Sequence, residues 1–495
     1  LESFVSYENT DASNPEYAPL VEAVQTTLAS VNPPSPYQIL GATRSSLVLG
    51  VAFYLGGVLP WLIERVTSKA GEKNEECDAT ETLEVVDIFS SIVDRLKDSN
   101  NRLEEESTST HDAHLLSLRT TFFGAPALLK ALHTSIIQEG VVGDDWDRYP
   151  VINGGETLFK LASGYPACLP SLISLKPSIV PSLVRVYDDE YHDAEASTAP
   201  LLGLLVAGSE IVVGQDDSHH VSGLASLDVD LVKEMVKKHI EQLVEPKDGG
   251  KGKGKKGKKK KRYEPRLSLT QALQRFAGFL LGAVATSEIT TKLQPGDKNE
   301  GKSGIAAALD IAVDSGALGL AFETLEREGS EGVMESEDGV LALCSVHSVL
   351  KLSKVPHLAT NRLTDVFKPR LQGLSGRLAS FLEEQQDNEE VEESTKVYAS
   401  NFVFDISLDA LLDDTDSDSE GGISSGSLIE AVGSEPWVDA LKNIRKVVGW
   451  MSRSNPAVLN SRLSKLTNHL RGLDDGKLED GLKSEIREFP GGETR

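Results

Sequence analysis

An all-α fold is the reading this sequence supports, and three observations carry it. Apolar residues recur at three- and four-residue steps along most of the chain, the spacing that places them on one face of a helix. Leu, Val and Ala supply the apolar content while aromatic residues are only 6%, a mixture suited to helices. Proline and glycine punctuate the stripes at short intervals, and segments alternating with period two are scarce.

Residues 1–16 are polar, and the first strong segment runs from Tyr37 to Val66. Within it Leu47 to Ile63 (LVLGVAFYLGGVLPWLI) carries no charge. A spanning helix needs about 20 apolar residues, and this run is shorter and interrupted by Gly56, Gly57 and Pro60. A buried helix pair broken at Gly57–Pro60 is expected, with a single membrane span over 47–63 as the alternative. Leu83, Val86, Phe89, Val93 and Leu96 mark the next helix face, and a charged linker over 98–113 leads to a helical run from His114 to Gln138. Trp146 to Gly155 reads as a loop. Pro166, Pro170, Pro177 and Pro181 fit short helices begun by proline. Pro200 to Gly214 is apolar, and Val229, Val232, Val236, Ile240 and Leu243 form a stripe that Pro246 ends.

A lysine tract then breaks the pattern. Lys251, Lys253, Lys255, Lys256, Lys258, Lys259, Lys260, Lys261 and Arg262 are interleaved with glycine, repel one another and have no apolar face, so they predict a solvated loop. Beyond it Leu269, Leu273, Phe276 and Leu280 resume the helical spacing, followed by Leu318, Phe322 and Leu325. Glu383–Glu393 and Asp413–Glu420 are acidic and poor core material. Trp437, Leu441, Ile444, Val448 and Met451 form a late stripe, with Ser434 as N-cap and Pro436 in the first turn. Leu459, Leu463, Leu466 and Leu470 follow after Pro456, and the short connection predicts an antiparallel pair. The organisation expected is an N-terminal helical array over 17–245, a flexible Lys/Gly-rich loop over 246–266, a continued array over 267–382, an acidic segment over 383–426 and C-terminal helices over 427–488.

A long succession of amphipathic helices joined by proline-marked turns resembles, at the level of architecture, the armadillo/HEAT-type right-handed α-solenoid. The resemblance covers most of the chain and implies a scaffold or adaptor that binds other proteins along a concave face.

Charge narrows the partners. The chain of 495 residues has a formal net charge of −26. Without the nine basic residues of the tract, 41 Lys and Arg face 76 Asp and Glu, a balance of −35. Such a surface disfavours nucleic acid and membrane and favours protein partners with basic segments. The tract itself fits a nuclear localisation signal read by an import receptor, or a patch for phosphates, so a nuclear or cytoplasmic location is expected. Only Tyr263 stands beside the lysines, which leaves base stacking unsupported. Three unpaired cysteines, Cys77, Cys168 and Cys344, point to a reducing compartment. The chain begins at Leu1, which reads as a fragment that could have lost an N-terminal signal.

The sharpest chemical motif is GDKNEGKS, with Gly296, Gly301, Lys302 and Ser303 in the positions of a phosphate-cradling loop. There the glycines would turn backbone N–H groups to phosphates, Lys302 would reach the terminal phosphate and Ser303 would hold magnesium. The helix GIAAALDIAV follows, and Phe402–Asp405 could be an acidic strand end. The preceding residues, Thr290 to Pro295, do not make the buried strand such a loop requires. A nucleotide-binding enzyme using 296–303 is therefore the alternative to a non-enzymatic protein without cofactor. Asp416, Asp418, Glu420, Gly421 and Ile423 match a calcium loop except that Ser427 replaces its bidentate Glu. In the same stretch Thr415 and Ser417 precede acids and read as phosphorylation sites. Cys344 and His347 share a helical turn, without a second pair of ligands, and read as a buried thiol and a satisfied histidine. His111 and His114 are isolated, and His219–His220 beside Asp216–Asp217 reads as a polar loop.

Overall fold

The stripes become helices in the computed structural model, which describes residues 18–72, 84–92, 108–139, 149–163, 165, 168–187, 195–209, 226–243, 268–293, 304–353, 361–384, 393–412, 435–454, 459 and 463. Among these residues the fold is all-helical and contains no strand. The chain forms two compact units, Leu1–Leu318 and Gly319–Arg495.

In the first unit α1 is Ala18–Leu28, α2 Pro36–Ser45, α3 Leu47–Leu55 and α4 Val58–Glu72. Ser35 and Gln38 open α2 with a reciprocal capping box, each side chain bonding the other's backbone N–H at 3.3 and 3.0 Å. The apolar run 47–63 is a bent helix pair, as its glycines predict. Its break falls at Gly56–Gly57, where Gly57 takes a left-handed φ of 81°, and Pro60 sits exposed in the first turn of α4. The two rods meet at 67°. Val51, Ala52, Val58, Leu59 and Leu62 are buried between α1, α4 and their neighbours. Among the described residues no single helix is long and apolar enough to cross a membrane, although this pair and Gly304–Asp314 with Ala317–Gly329 satisfy length and composition when taken together. Residues 84–92 add a helical turn pair whose Phe89 meets Phe122 edge-on at 5.0 Å.

Next come α5 (Thr108–Phe123), α6 (Pro126–Glu139), α7 (Tyr149–Ala162), α8 (Leu169–Ile173), α9 (Val180–Tyr187), α10 (Glu195–Ala207), α11 (Ser226–Leu243), α12 (Leu269–Leu293) and α13 (Gly304–Asp314). Of the loop expected over 146–155, residues 149–155 are instead the start of α7, and 146–148 lie outside the described residues. Its paired glycines signal close packing rather than a turn, because a side chain on Gly154 would press on Leu132 and Ile136 of α6, and one on Gly155 would touch Leu183 of α9 and Thr198 of α10. Short proline-started helices appear as expected at α8 and α9.

The core of this unit is the crossing of α10 and α12. Every residue from Thr198 to Ser209 is buried, and α12 is enclosed from Ala272 to Val284 apart from outward positions such as Leu281. The crossing is set by Gly203 and Gly282. A Cβ on Gly203 would overlap the Phe279 carbonyl, 2.8 Å from its carbon, and one on Gly282 would overlap the Pro200 carbonyl, 2.7 Å from its carbon. Backbone therefore lies on backbone. Thr286 reinforces the contact by donating to the Leu204 carbonyl of α10 at 3.3 Å.

The second unit holds α14 (Ala317–Glu335, which starts at the boundary), α15 (Glu337–Ser353), α16 (Asn361–Glu384), α17 (Glu393–Leu412) and α18 (Glu435–Ser454). Gly329, at φ 69° and ψ −174°, interrupts α14 with a conformation that side chains oppose. The sequence stretch Phe402–Asp405, read as a possible strand end, lies inside α17, where its residues are buried among helices. A run of four buried positions is what a helix enclosed on most sides produces, so the run alone does not report its period. Leu441, Ile444 and Met451 of the late stripe are buried, with Val447 rather than Val448 completing it. Leu459 and Leu463 are also buried, while the rest of the last expected helix lies outside the described residues.

Candidate functional site

The lysine tract at 251–262, the motif residues Gly296, Gly301, Lys302 and Ser303, the phosphorylation candidates Thr415 and Ser417, the calcium-like loop and His219–His220 all lie outside the described residues. Their neighbours are described. The tract connects α11 to α12, and Ser268 caps α12 through Gln271, whose side-chain oxygen accepts from the Ser268 N–H at 3.1 Å. The motif is followed by α13, whose first residue, Gly304, is buried. A side chain there would press on the Val206 and Ala207 carbonyl oxygens at the end of α10. Carbonyl oxygens at that place set partial negative charge beside the start of α13. Helices flank 294–303 on both sides, α12 before and α13 after.

His347 belongs to a hydrogen-bonded chain, with Cys344 beside it, that sequence spacing did not disclose. His347, buried in α15, meets Asp405 of α17 at 2.7 Å through Nε2 and the Tyr398 hydroxyl at 3.1 Å through Nδ1. The Tyr398 hydroxyl also faces the Cys344 thiol, and each shifts the other's proton affinity. With the imidazole neutral, the phenol donates to Nδ1 and Nε2–H donates to the carboxylate. Phe402 and Tyr398 stand edge-on to the ring at 5.5 and 5.4 Å. Burial pushes the Tyr398 hydroxyl up, with the Cys344 and Asp405 charges adding to it. Burial likewise raises the Cys344 thiol against the lowering effect of Tyr398. The chain thus holds its protons and ties α15 to α17. His347 is a satisfied histidine, as the sequence suggested, and Cys344 is half-buried rather than enclosed. Among the described residues no three His, Cys, Asp or Glu side chains are placed to hold a metal ion.

The other thiol in view, Cys168, is buried and pushed up to about 12, first by burial, with its own backbone and Arg119 lowering it. In native protein at pH 8, alkylation by iodoacetamide is expected at Cys344 well ahead of Cys168, and denaturant should erase the difference. Mass-spectrometric mapping of the labelled peptides checks this, and equal native labelling would contradict the burial.

The second unit also carries a cavity of about 850 Å³ between α16, α17 and α18. Gly376 faces the Asn443 amide at 4.0 Å from an added Cβ, the Ser380 hydroxyl accepts from Lys446 at 3.2 Å, and the Leu382 carbonyl accepts from Trp450 Nε1 at 3.4 Å. These partners advance together along both helices, so α16 and α18 run parallel as the walls of a trough. Ile406 and Ser407 of α17 form its floor. Sequence reasoning missed it because its walls lie far apart in the chain and are built partly of glycine, which carries no signature of its own. No family model, no curated protein and no solved structure matches this chain, so its sites are read from their own geometry.

Proposed function

We propose that the chain is a non-enzymatic scaffold or adaptor of the helical-repeat type, an armadillo/HEAT-like solenoid whose acidic surface takes protein partners with basic segments. The observation that carries this reading is the way successive helices pack on their neighbours in each unit, α5 on α6 and α6 on α7 in the first and α16 on α17 and α17 on α18 in the second. That arrangement is the one by which stacked helical repeats present extended faces. The net charge of −26 favours a basic partner through long-range attraction. The tract from Lys251 to Arg262 serves in this reading as an accessible basic peptide for a nuclear import receptor, and the protein works in the nucleus, the cytoplasm or both. Phosphate on Thr415 or Ser417 would deepen the acidic character.

A reporter fused to residues 247–266 is expected to accumulate in nuclei. The full chain with Lys251, Lys253, Lys255, Lys256 and Lys258 to Lys261 changed to Gln should lose nuclear accumulation while keeping its melting temperature, because such a tract contributes nothing to a core. Affinity purification of both forms should return the same partners for the helical body and lose only the import receptor. A reporter that stays excluded from nuclei, with a variant that keeps the wild-type distribution, would overturn the targeting part. Absence of any partner common to both forms would overturn the scaffold part.

A further inference from the structure

We propose that the trough between α16 and α18 is a docking site for a short peptide segment of another protein carrying a central phosphoserine or phosphothreonine. This goes beyond the scaffold reading, which concerns basic partners and the lysine tract, and it stands on the trough alone.

The trough has the size and shape for a peptide. From Gln372 to Glu384 the α16 wall rises about 18 Å at ~1.5 Å per residue, the length of about five or six extended residues at ~3.3 Å each. Its middle is open because of Gly373 and Gly376. A Cβ added at Gly373 would meet nothing within 4 Å, so a ligand backbone can approach the helix there.

The charge pattern fixes the chemistry. Of the three cations that line the cavity, Lys446 is already answered, at 2.9 Å by Glu383 and by the Ser380 hydroxyl. The other two, Arg377 on α16 and Lys442 on α18, adjoin the Gly376–Asn443 midpoint on opposite walls. Among the described residues Lys442 pairs with Asp439, at 3.7 Å with both side chains more than half exposed, 52% and 58%. An exposed pair of that kind holds its lysine weakly. Arg377 also feels Glu326, which Arg370 already engages at 2.8 Å. Arg377, Lys442 and the Asn443 amide therefore all line the middle stretch of the trough. They match the charge of about −1.5 to −2 and the three acceptor oxygens of a phosphorylated side chain better than a single carboxylate. The ends have the opposite sign. Asp439 stands toward Gln372 and Glu384 lies at the other limit, so the preferred peptide carries basic residues on either side of the phosphate.

The test uses the full chain and a nine-residue peptide with a central phosphoserine, glycine and alanine beside it and one lysine near each end. Saturable binding by fluorescence anisotropy is expected. Removal of the phosphate should abolish it, and Arg377→Gln or Lys442→Gln should weaken it about tenfold each. Gly373→Leu fills the open stretch of the α16 wall and should block binding with an unchanged melting temperature. The proposal fails if the unphosphorylated peptide binds equally, if inorganic phosphate binds as tightly as the peptide, or if these substitutions leave affinity unchanged. It fails also if the wild-type chain is a dimer that Gly373→Leu makes monomeric, since a second copy would then occupy the trough. None of these outcomes depends on the lysine tract, so the localisation experiment and this one can fail separately.

Discussion

Gly203→Ala and Gly282→Ala are each expected to destabilise the first unit by about 3–5 kcal/mol or to prevent its folding, the largest effect expected of a methyl group added at any glycine among the described residues. At most core positions an added methyl meets the end of a side chain, which can rotate aside. Here it would meet the carbonyl of Phe279 or of Pro200, atoms fixed by the helices themselves. Relief requires α10 and α12 to separate. Separation opens space around Leu204, Phe279 and Leu280, all of them buried, and breaks the bond from Thr286 to the Leu204 carbonyl. Urea denaturation of the two variants beside Gly41→Ala makes the comparison. Gly41 lies in α2 with nothing within 4 Å of an added Cβ, so alanine there should stabilise by about 0.5–1 kcal/mol through helix propensity alone. A Gly203→Ala protein as stable as wild type would mean that the two backbones do not touch.

Asp405→Ala is expected to cost the second unit about 1–3 kcal/mol, because it removes the carboxylate that the buried His347 Nε2–H meets at 2.7 Å. Asp405→Asn keeps an acceptor for that N–H and should cost less. The informative measurement is a double-mutant cycle in which His347→Leu and Asp405→Leu are made singly and together. Each single change removes one side of the buried contact, whereas the pair replaces both by apolar side chains and should recover much of the loss. Strict additivity would show that the 2.7 Å contact contributes no coupling between α15 and α17.

Much of the helical fold was legible because a helix with one buried face writes its period into the sequence. Val232 and Val236 in α11, and Leu441, Ile444 and Met451 in α18, are spaced as the stripe requires and are buried as expected. Legibility fell where burial ceased to be one-sided. Phe402, Val403, Phe404 and Asp405 are all enclosed, so their apolar run carried no period, and an acidic residue at its end suggested a strand. It also fell where glycine served packing. Gly154 and Gly155 suggested a turn, although α7 uses them to lie close against Leu132, Ile136 and Leu183. The polar sites were harder still. His347 is visible as a residue, but Asp405 becomes its partner only when α17 folds beside α15. Arg377 and Lys442 become neighbours of one trough only through the parallel register of α16 and α18. Pairings of that kind depend on tertiary packing, and no local spacing encodes them.

The backbone contact of α10 and α12 also bears on descent. Positions that hold a side chain can drift among residues of similar volume, so the letters of a helical core change while its shape persists. Gly203 and Gly282 have no such latitude, because every other residue adds an atom where a carbonyl already stands. Any distant kin that keeps this crossing must keep both glycines, one in each of two helices apolar on nearly every side and set on opposite flanks of a charged insertion. That two-letter signature, read together with the all-round burial of its helices, offers a way to recognise such kin after the rest of the resemblance has worn away.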